Sequence, residues 1–300
     1  MRIGSLPANP WRRGVGPYIQ LNQDGIVTAM SQEAYTYSLA PRVAMLDAIN
    51  EIYASGGVPK NVSIGLILTP DTEEAMAAAM MEQLAAVAAE ETVPITNVNV
   101  KTVPSATAIQ ISVCVAGERR TAKASAGTDL VLAGAIGLAG TAAIAEEKSE
   151  ELVKRFAPAF VRKGAGRRAE LSVRKMMECA AQYPLSAMCA LGEGGVFAGL
   201  WKLAESVRKG MDVDLKALTL HQETVEICEV YGLNPYLLHS TGAMLLVTEN
   251  GAALVNELNQ AEIEAVQIGT LTDSNDRRIL NDGEVRFLDL PAADEMYRLF

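Results

Sequence analysis

Four residues, Gly192-Glu193-Gly194-Gly195, stand directly before a segment in which Val196, Leu200, Leu203 and Val207 recur every three to four positions. A glycine turn opening a helix leaves backbone N–H groups free, and the helix dipole favours an anion such as phosphate there. The same glycines equally suit close packing of helix on strand, and both readings stay open. His221 precedes a helical stretch and His239 falls in a turn at residues 238–242. Neither has further ligands at metal-binding spacing, so each reads as a packed or surface histidine. Cys114, Cys179, Cys189 and Cys228 lack CxxC spacing and read as reduced, buried thiols. No Walker A loop, dinucleotide fingerprint or nucleophile elbow occurs.

The elements that must position these residues alternate between strand and helix. Strands at 18–21 and 25–30 flank an Asn22-Gln23-Asp24-Gly25 hairpin turn. A helix over 41–54 places Val43, Leu46, Ile49 and Ile52 on one face and closes at Gly56-Gly57. Residues 62–69 are nearly continuously apolar, which predicts a strand buried on both faces. A helix over 72–91 and strands at 95–103 and 108–116 follow. Small and charged residues from 118 to 126 mark a composition shift, dividing the chain into domains 1–122 and 123–300. The second part predicts a strand at 129–132 and a small-residue bend at 134–140 into a helix ending near 147. Helices at 149–163 and 168–183 come next, then the glycine turn with its helix. A helix at 222–231, a strand at 243–248, a helix at 250–259 and a strand at 265–271 complete it. Helices and strands mixed in both halves predict an α+β protein of two domains.

With 300 residues, 49% hydrophobic and 21% charged, the composition is that of a globular protein with a large core. The formal net charge of −10 argues against nucleic-acid and anionic-membrane partners. It does not exclude a phosphorylated ligand, because a local nest of N–H groups binds anions within a negative protein. The start has no apolar leader region, and the most apolar stretch, 130–145, is too short and glycine-rich to span a membrane. Cytoplasmic location is expected.

Four segments carry a resemblance in their order: GTDLVLAGAIGLAGTAAIA (127–145), ALGEGGVFAGLWKLAE (190–205), YGLNPYLLHSTGAMLLV (231–247) and IEAVQIGTLTD (263–273). With AINEIYASGGVP at 48–59, the chain resembles the aminoimidazole ribonucleotide (AIR) synthase, or PurM, superfamily, most closely its HypE-like, AIR synthase-related members. The resemblance implies a PurM/HypE-like fold: an N-terminal α/β domain whose sheet pairs with a second subunit in a homodimer, and a C-terminal α/β sandwich domain. It also implies ATP or ADP in the interdomain cleft, with Mg²⁺ on aspartates, and phosphorylation of an oxygen of a small substrate or carboxamide. HypE itself dehydrates a carboxamide carried on its own terminal cysteine. Carried onto this sequence, the nucleotide- or phosphate-binding candidates are Gly192, Glu193, Gly194, Gly195, Asn50, Lys101, Thr241 and Gly242, and the metal candidate is Glu51.

The chain departs from that pattern where the metal would be held. The family's early acidic pair would fall near Gly16-Pro17-Tyr18, and its next aspartate within 28–32, where this chain has none. Asn50 is kept, but Glu51 stands for the following aspartate; the ordinary reading of such a helix glutamate is a solvated one. Asn97-Val98-Asn99-Val100 replaces a Gly-Gly-Asp turn, and Ala190 stands where an aspartate is common. Lys101 then either supplies positive charge to a phosphate or is a solvated strand-end lysine. The sequence ends Tyr297-Arg298-Leu299-Phe300 with no terminal cysteine, so a thiol-carried substrate is not expected. The nucleotide site therefore reads as degenerate, with Mg²⁺ not held by the family's route. Three readings remain open: a nucleotide- or metabolite-binding protein, an ATP-dependent enzyme of altered chemistry, and a non-catalytic interaction paralogue in metal-cofactor maturation.

Overall fold

The computed structural model describes residues 18–21, 25–119 and 127–300. The hairpin turn at 22–24, the domain division at 122/123 and most of the position of the early acidic pair lie outside the described residues.

The first half runs β1 (Tyr18–Leu21), β2 (Ile26–Ala34), α1 (Ala40–Ala54), β3 (Gly57–Leu68), α2 (Glu74–Glu90), β4 (Ile95–Thr102) and β5 (Gln110–Arg119). Its sheet has the order β1-β2-β5-β3-β4. Only β3 and β4 are parallel, joined by α2, as a parallel pair needs a crossover. Residues 62–69 were expected to be buried on both faces, and the structure corrects this. Val62, Ile64 and Leu66 point inward with Val27, Ala29, Ile111, Val113 and Val115, while Ser63, Gly65 and Ile67 face outward. Register places Met30, Cys114 and Ser63 side by side on that outer face, with Gln32, Ser112 and Gly65 in the next row. Met30 and Ile67 are exposed on it.

Helix α1 starts with Pro41 in its first turn, where a missing N–H costs nothing, and Gly56 leaves it at φ +74°. It is buried almost all round, including Asp47, Asn50 and Glu51. A helix buried on every side packs against more than one layer. Here α1 lies between the first sheet and the second half, contacting β2, β3 and β5 as well as strand 185–190.

The second half comprises β6 (Asp129–Ala133), α3 (Leu138–Glu147), α4 (Ser149–Leu152), α5 (Pro158–Gly166), α6 (Arg174–Ala180), β7 (Leu185–Ala190) and α7 (Gly195–Val207). It continues with β8 (Gly210–Asp214), α8 (Gln222–Tyr231), β9 (Met244–Thr248), α9 (Gly251–Gln260), β10 (Ala265–Thr272), β11 (Arg277–Asn281) and β12 (Glu284–Phe287). Seven strands form one sheet in the order β12-β11-β8-β10-β6-β9-β7, antiparallel except at β11/β8. Alternation along β6 splits the core. Leu130 and Leu132 pack with Leu200 and Leu203 of α7, whereas Val131 and Ala133 pack with Leu254 and Leu258 of α9. The single helix expected over 149–163 breaks before Pro158, which cannot sit inside a helix and instead opens α5. The one expected over 168–183 resolves into a 3₁₀ turn, Arg167–Glu170, and α6.

Candidate functional site

On α1, Asp47, Asn50 and Glu51 follow an i, i+3, i+4 spacing and so share one face, turned toward the second half. Asp47 meets the turn after α8: the Thr241 hydroxyl donates to its Oδ1, and His239 Nε2 lies 3.1 Å from its Oδ2. The other ring nitrogen, Nδ1, is 3.6 Å from Oδ2 of Asp294. Asp294 in turn accepts from the Gly194 N–H at 2.7 Å and from the Met296 N–H at 2.9 Å. Glu33, at the end of β2, closes the group. Ligand atoms of Glu33, Asp47 and His239 all lie within 4.8 Å of one another, and the Tyr37 hydroxyl reaches Glu33 at 3.5 Å.

Burial alone would lower the His239 pKa, but the charge and hydrogen bond of Asp47, with Asp294 and Glu33, push it up to about 10. The ring is therefore an imidazolium at neutral pH. Burial pushes Glu33 up to about 8 against the pull of His239, so this carboxyl stays protonated at neutral pH. Asp294 is also raised, by burial first. The cluster is a buried cation enclosed by carboxyl groups.

Four residues further along α1, Glu51 is 3% exposed rather than solvated, and its Oε1 accepts from the Lys202 ammonium of α7. Burial raises the Glu51 pKa despite Lys202, while the Lys202 side chain keeps 30% exposure and sheds less hydration. These residues do not fit the magnesium ion that the family pattern implies. Mg²⁺ seeks an octahedron of hard oxygens. Glu51 is already taken by an ammonium, both Asp47 oxygens are committed, and an imidazolium sits at the centre of the remaining set.

The three glycines of the turn have separate duties. A Cβ at Gly192 would lie 3.2 Å from Asp47 Oδ1, so Gly192 admits the carboxylate. Gly194 has φ +75° and turns its N–H toward Asp294. A Cβ at Gly195 would lie 2.5 Å from Tyr236 O and 2.8 Å from Leu238 O, which is the close-packing reading. Turns 134–140, 192–195 and 238–242 are tied together by Gly137 N–H to Ser240 Oγ, Ser240 N–H to Gly192 O and Gly140 N–H to His239 O.

Of the candidates, the structure thus brings Gly192, Gly194 and Thr241 to one place. Glu193 accepts from Tyr297 OH at its rim. Asn50 spends its amide on Leu171 O and Val173 N, clamping the two halves. Gly242, at φ +104°, is fixed by the backbone at Glu170. Lys101 lies exposed on edge strand β4, on the face away from α1, and takes no part in the cluster. Among the thiols, Cys189 and Cys228 are buried, but Cys114 and Cys179 are partly exposed, contrary to expectation. A separate cavity of about 870 Å³ opens between residues 56–60 and 180–185 and shares no residue with the cluster. Asp47, Glu33, His239, Lys202 and Asp294 were not read as site residues. One signal was present: three polar residues on a single face of an otherwise apolar helix.

Two sheets joined through a buried helix, with glycine turns converging on that helix, define the two-domain HypE/PurM fold. The family described as AIR synthase related protein, C-terminal domain, matches residues 125–280, and the chain belongs to it. Among solved structures, E. coli HypE, a hydrogenase maturation protein, is similar with a TM-score of 0.74 and 20% identity, over 91% of this chain and 88% of that one. HypE in complex with ATP is similar with a TM-score of 0.72 and 18% identity, over 89% and 86%. Thiamine monophosphate kinase from Aquifex aeolicus gives a TM-score of 0.64 and 19% identity, over 87% and 89%. At these identities the likeness is one of fold. No curated protein matches the chain. Among the described residues, no helix is long and apolar enough to cross a membrane.

Proposed function

We propose that this protein binds a phosphorylated ligand, of which ADP and ATP are reference members, at the turn 192–195 without a magnesium ion. One observation carries the reading: the Gly194 N–H, at the head of α7, already holds an anionic oxygen at 2.7 Å. The fold shared with an ATP-bound HypE supports a nucleotide as the phosphate carrier. Two fixed cations, the His239 imidazolium and the Lys202 ammonium, stand where the family pattern would need a dication. Without metal, affinity is expected in the range of about 10 µM to 1 mM, or roughly 4–7 kcal/mol. Calorimetric titration with ADP should find this for the wild-type chain and no binding for Gly194→Val. In that variant the side chain forces a positive-φ residue and begins 2.8 Å from Ala198 Cβ. Equal binding by a folded Gly194→Val protein would remove the turn from the site.

The same reading includes a homodimer formed through the outer face of the first sheet, where Met30, Cys114 and Ile67 are otherwise left to water. Sedimentation at micromolar concentration should give a dimer, with Cys114 protected from a thiol reagent and released to it on dilution. A clean 32.0 kDa monomer, or Cys114 reacting at one rate at all concentrations, would contradict the dimer.

A further inference from the structure

The backbone donor that a phosphorylated ligand needs is held by the protein's own Asp294. We infer that residues 294–300 are a built-in competitor: Asp294 stands in for the ligand's anionic group, and ligand enters as this segment leaves. The inference rests on the phosphate-binding reading above and adds its control.

Asp294 is 3% exposed, and both of its oxygens are spent in ways that mimic a bound anion. Oδ2 takes the Gly194 N–H at 2.7 Å and faces the His239 ring at 3.6 Å. Oδ1 takes the Met296 N–H and caps the 3₁₀ turn Glu295–Arg298. A carboxylate at a helix N-terminus meets the same donors and dipole that would meet a phosphate oxygen. Charge makes the two occupants exclusive. With Glu33 protonated, Asp47 acts on the imidazolium partner and Glu193 on this carboxyl, and His239 is the cation among them. A phosphate added beside Asp294 would heap further negative charge on the cluster, whereas departure of the Asp294 carboxylate frees the Gly194 N–H and lessens that excess.

The rest of the segment is held by contacts suited to exchange. Met296 is its one fully seated apolar side chain. Tyr297, 59% exposed, donates from its hydroxyl to Glu193 Oε1 at 2.8 Å, so it spans the glycine turn itself. Arg298 reaches Gly232 O at 2.8 Å. The Phe300 ring lies 5.4 Å from that of Tyr37, with Lys148 Nζ 5.9 Å above it. Tyr37 also reaches Glu33, so the segment closes over the cluster from one side.

The test combines ADP and inorganic pyrophosphate titrations with amide hydrogen exchange over residues 294–300. Asp294→Asn removes the charge yet keeps an oxygen for the Met296 cap. Phe300→Ala loosens the segment without touching the turn. Asp294→Asn should bind ADP about tenfold tighter than wild type, the worth of one charge-assisted hydrogen bond no longer in competition. Phe300→Ala should tighten binding by a smaller factor, and ADP should speed exchange across 294–300 in the wild type. If ADP binds wild type and both variants alike, with exchange unchanged at saturation, the competitor is overturned while the binding site stands. If neither probe binds any of the three proteins, the phosphate-binding reading fails and the competitor falls with it.

Discussion

His239→Leu should cost about 3–5 kcal/mol of folding stability near pH 6, the cost of stripping one partner from a buried charge group. Asp47 and Asp294, each under 5% exposed, would then face each other's charge with no cation between them. Linkage gives a similar size. Moving the imidazole pKa from 6.5 to about 10 corresponds to stabilisation on the order of 5 kcal/mol. Because the folded pKa is raised, this stability is fully present below pH 6.5 and is lost as pH rises through about 10. Glu33 acts in the same sense. Its carboxyl at about 8 in the folded state, against 4.5 unfolded, makes folding less favourable as pH climbs from 4.5 to 8. The penalty of His239→Leu should therefore peak between pH 5 and pH 7 and shrink by pH 10. At the acid end another group takes over. Burial raises the Glu223 carboxyl, but hydrogen bonds from Lys163 and Arg167 outweigh it and hold it at about 2. That contribution is present above pH 4.5 and is lost as pH falls toward 2. Urea unfolding midpoints across pH 2–10 measure the whole profile. A penalty below about 1 kcal/mol at pH 6 would show that His239 is not the cation of the cluster.

Lys202→Met should be nearly as costly, about 3–5 kcal/mol at pH 8, because it strands Glu51 in a site only 3% exposed. The reverse change, Glu51→Gln, should cost less, about 1–2 kcal/mol. Lys202 keeps part of its side chain in water and can turn its ammonium outward. The double variant Glu51→Leu/Lys202→Met should lie close to wild type, since well-packed apolar residues often replace a buried ion pair without loss. Lowering the pH to 4 should spare Lys202→Met, as Glu51 then protonates. A double variant as unstable as Lys202→Met alone would mean that packing at these positions, rather than charge, sets the cost.

The helices α1 and α8 and the strands β6, β9 and β10 were legible because apolar periodicity and glycine stops agree along each of them. Strands β8 and β11 were not, since their alternation is carried by charge. Arg278 of β11 is the register partner of Asp212 of β8 and bonds it at 2.6 Å, a cross-strand pair with no local signature. The site shows the same division. The glycine turn announces itself by standing before a helix, but the sequence does not show that Gly194 turns its N–H to the buried Asp294 while Gly195 lets the chain at 236–238 approach. Glu33, Asp47, His239 and Asp294 come from a strand end, a helix, a turn and the last segment of the sequence. Their common charge logic exists only after the halves meet. The place of Lys101 was hidden for a related reason: register, which the sequence did not reveal, puts it on the sheet face opposite the cluster.

The most direct test of a metal-independent phosphate site is calorimetric titration of the wild-type protein with ATP, with and without millimolar Mg²⁺, repeated on Glu51→Gln. The account predicts binding in the range of about 10 µM to 1 mM, changed less than about threefold by Mg²⁺ and little altered by Glu51→Gln. Tightening of more than about tenfold by Mg²⁺, abolished by Glu51→Gln, would contradict it. Glu51 would then leave Lys202 to hold a metal, and metal-dependent phosphoryl transfer would become the leading reading of the site.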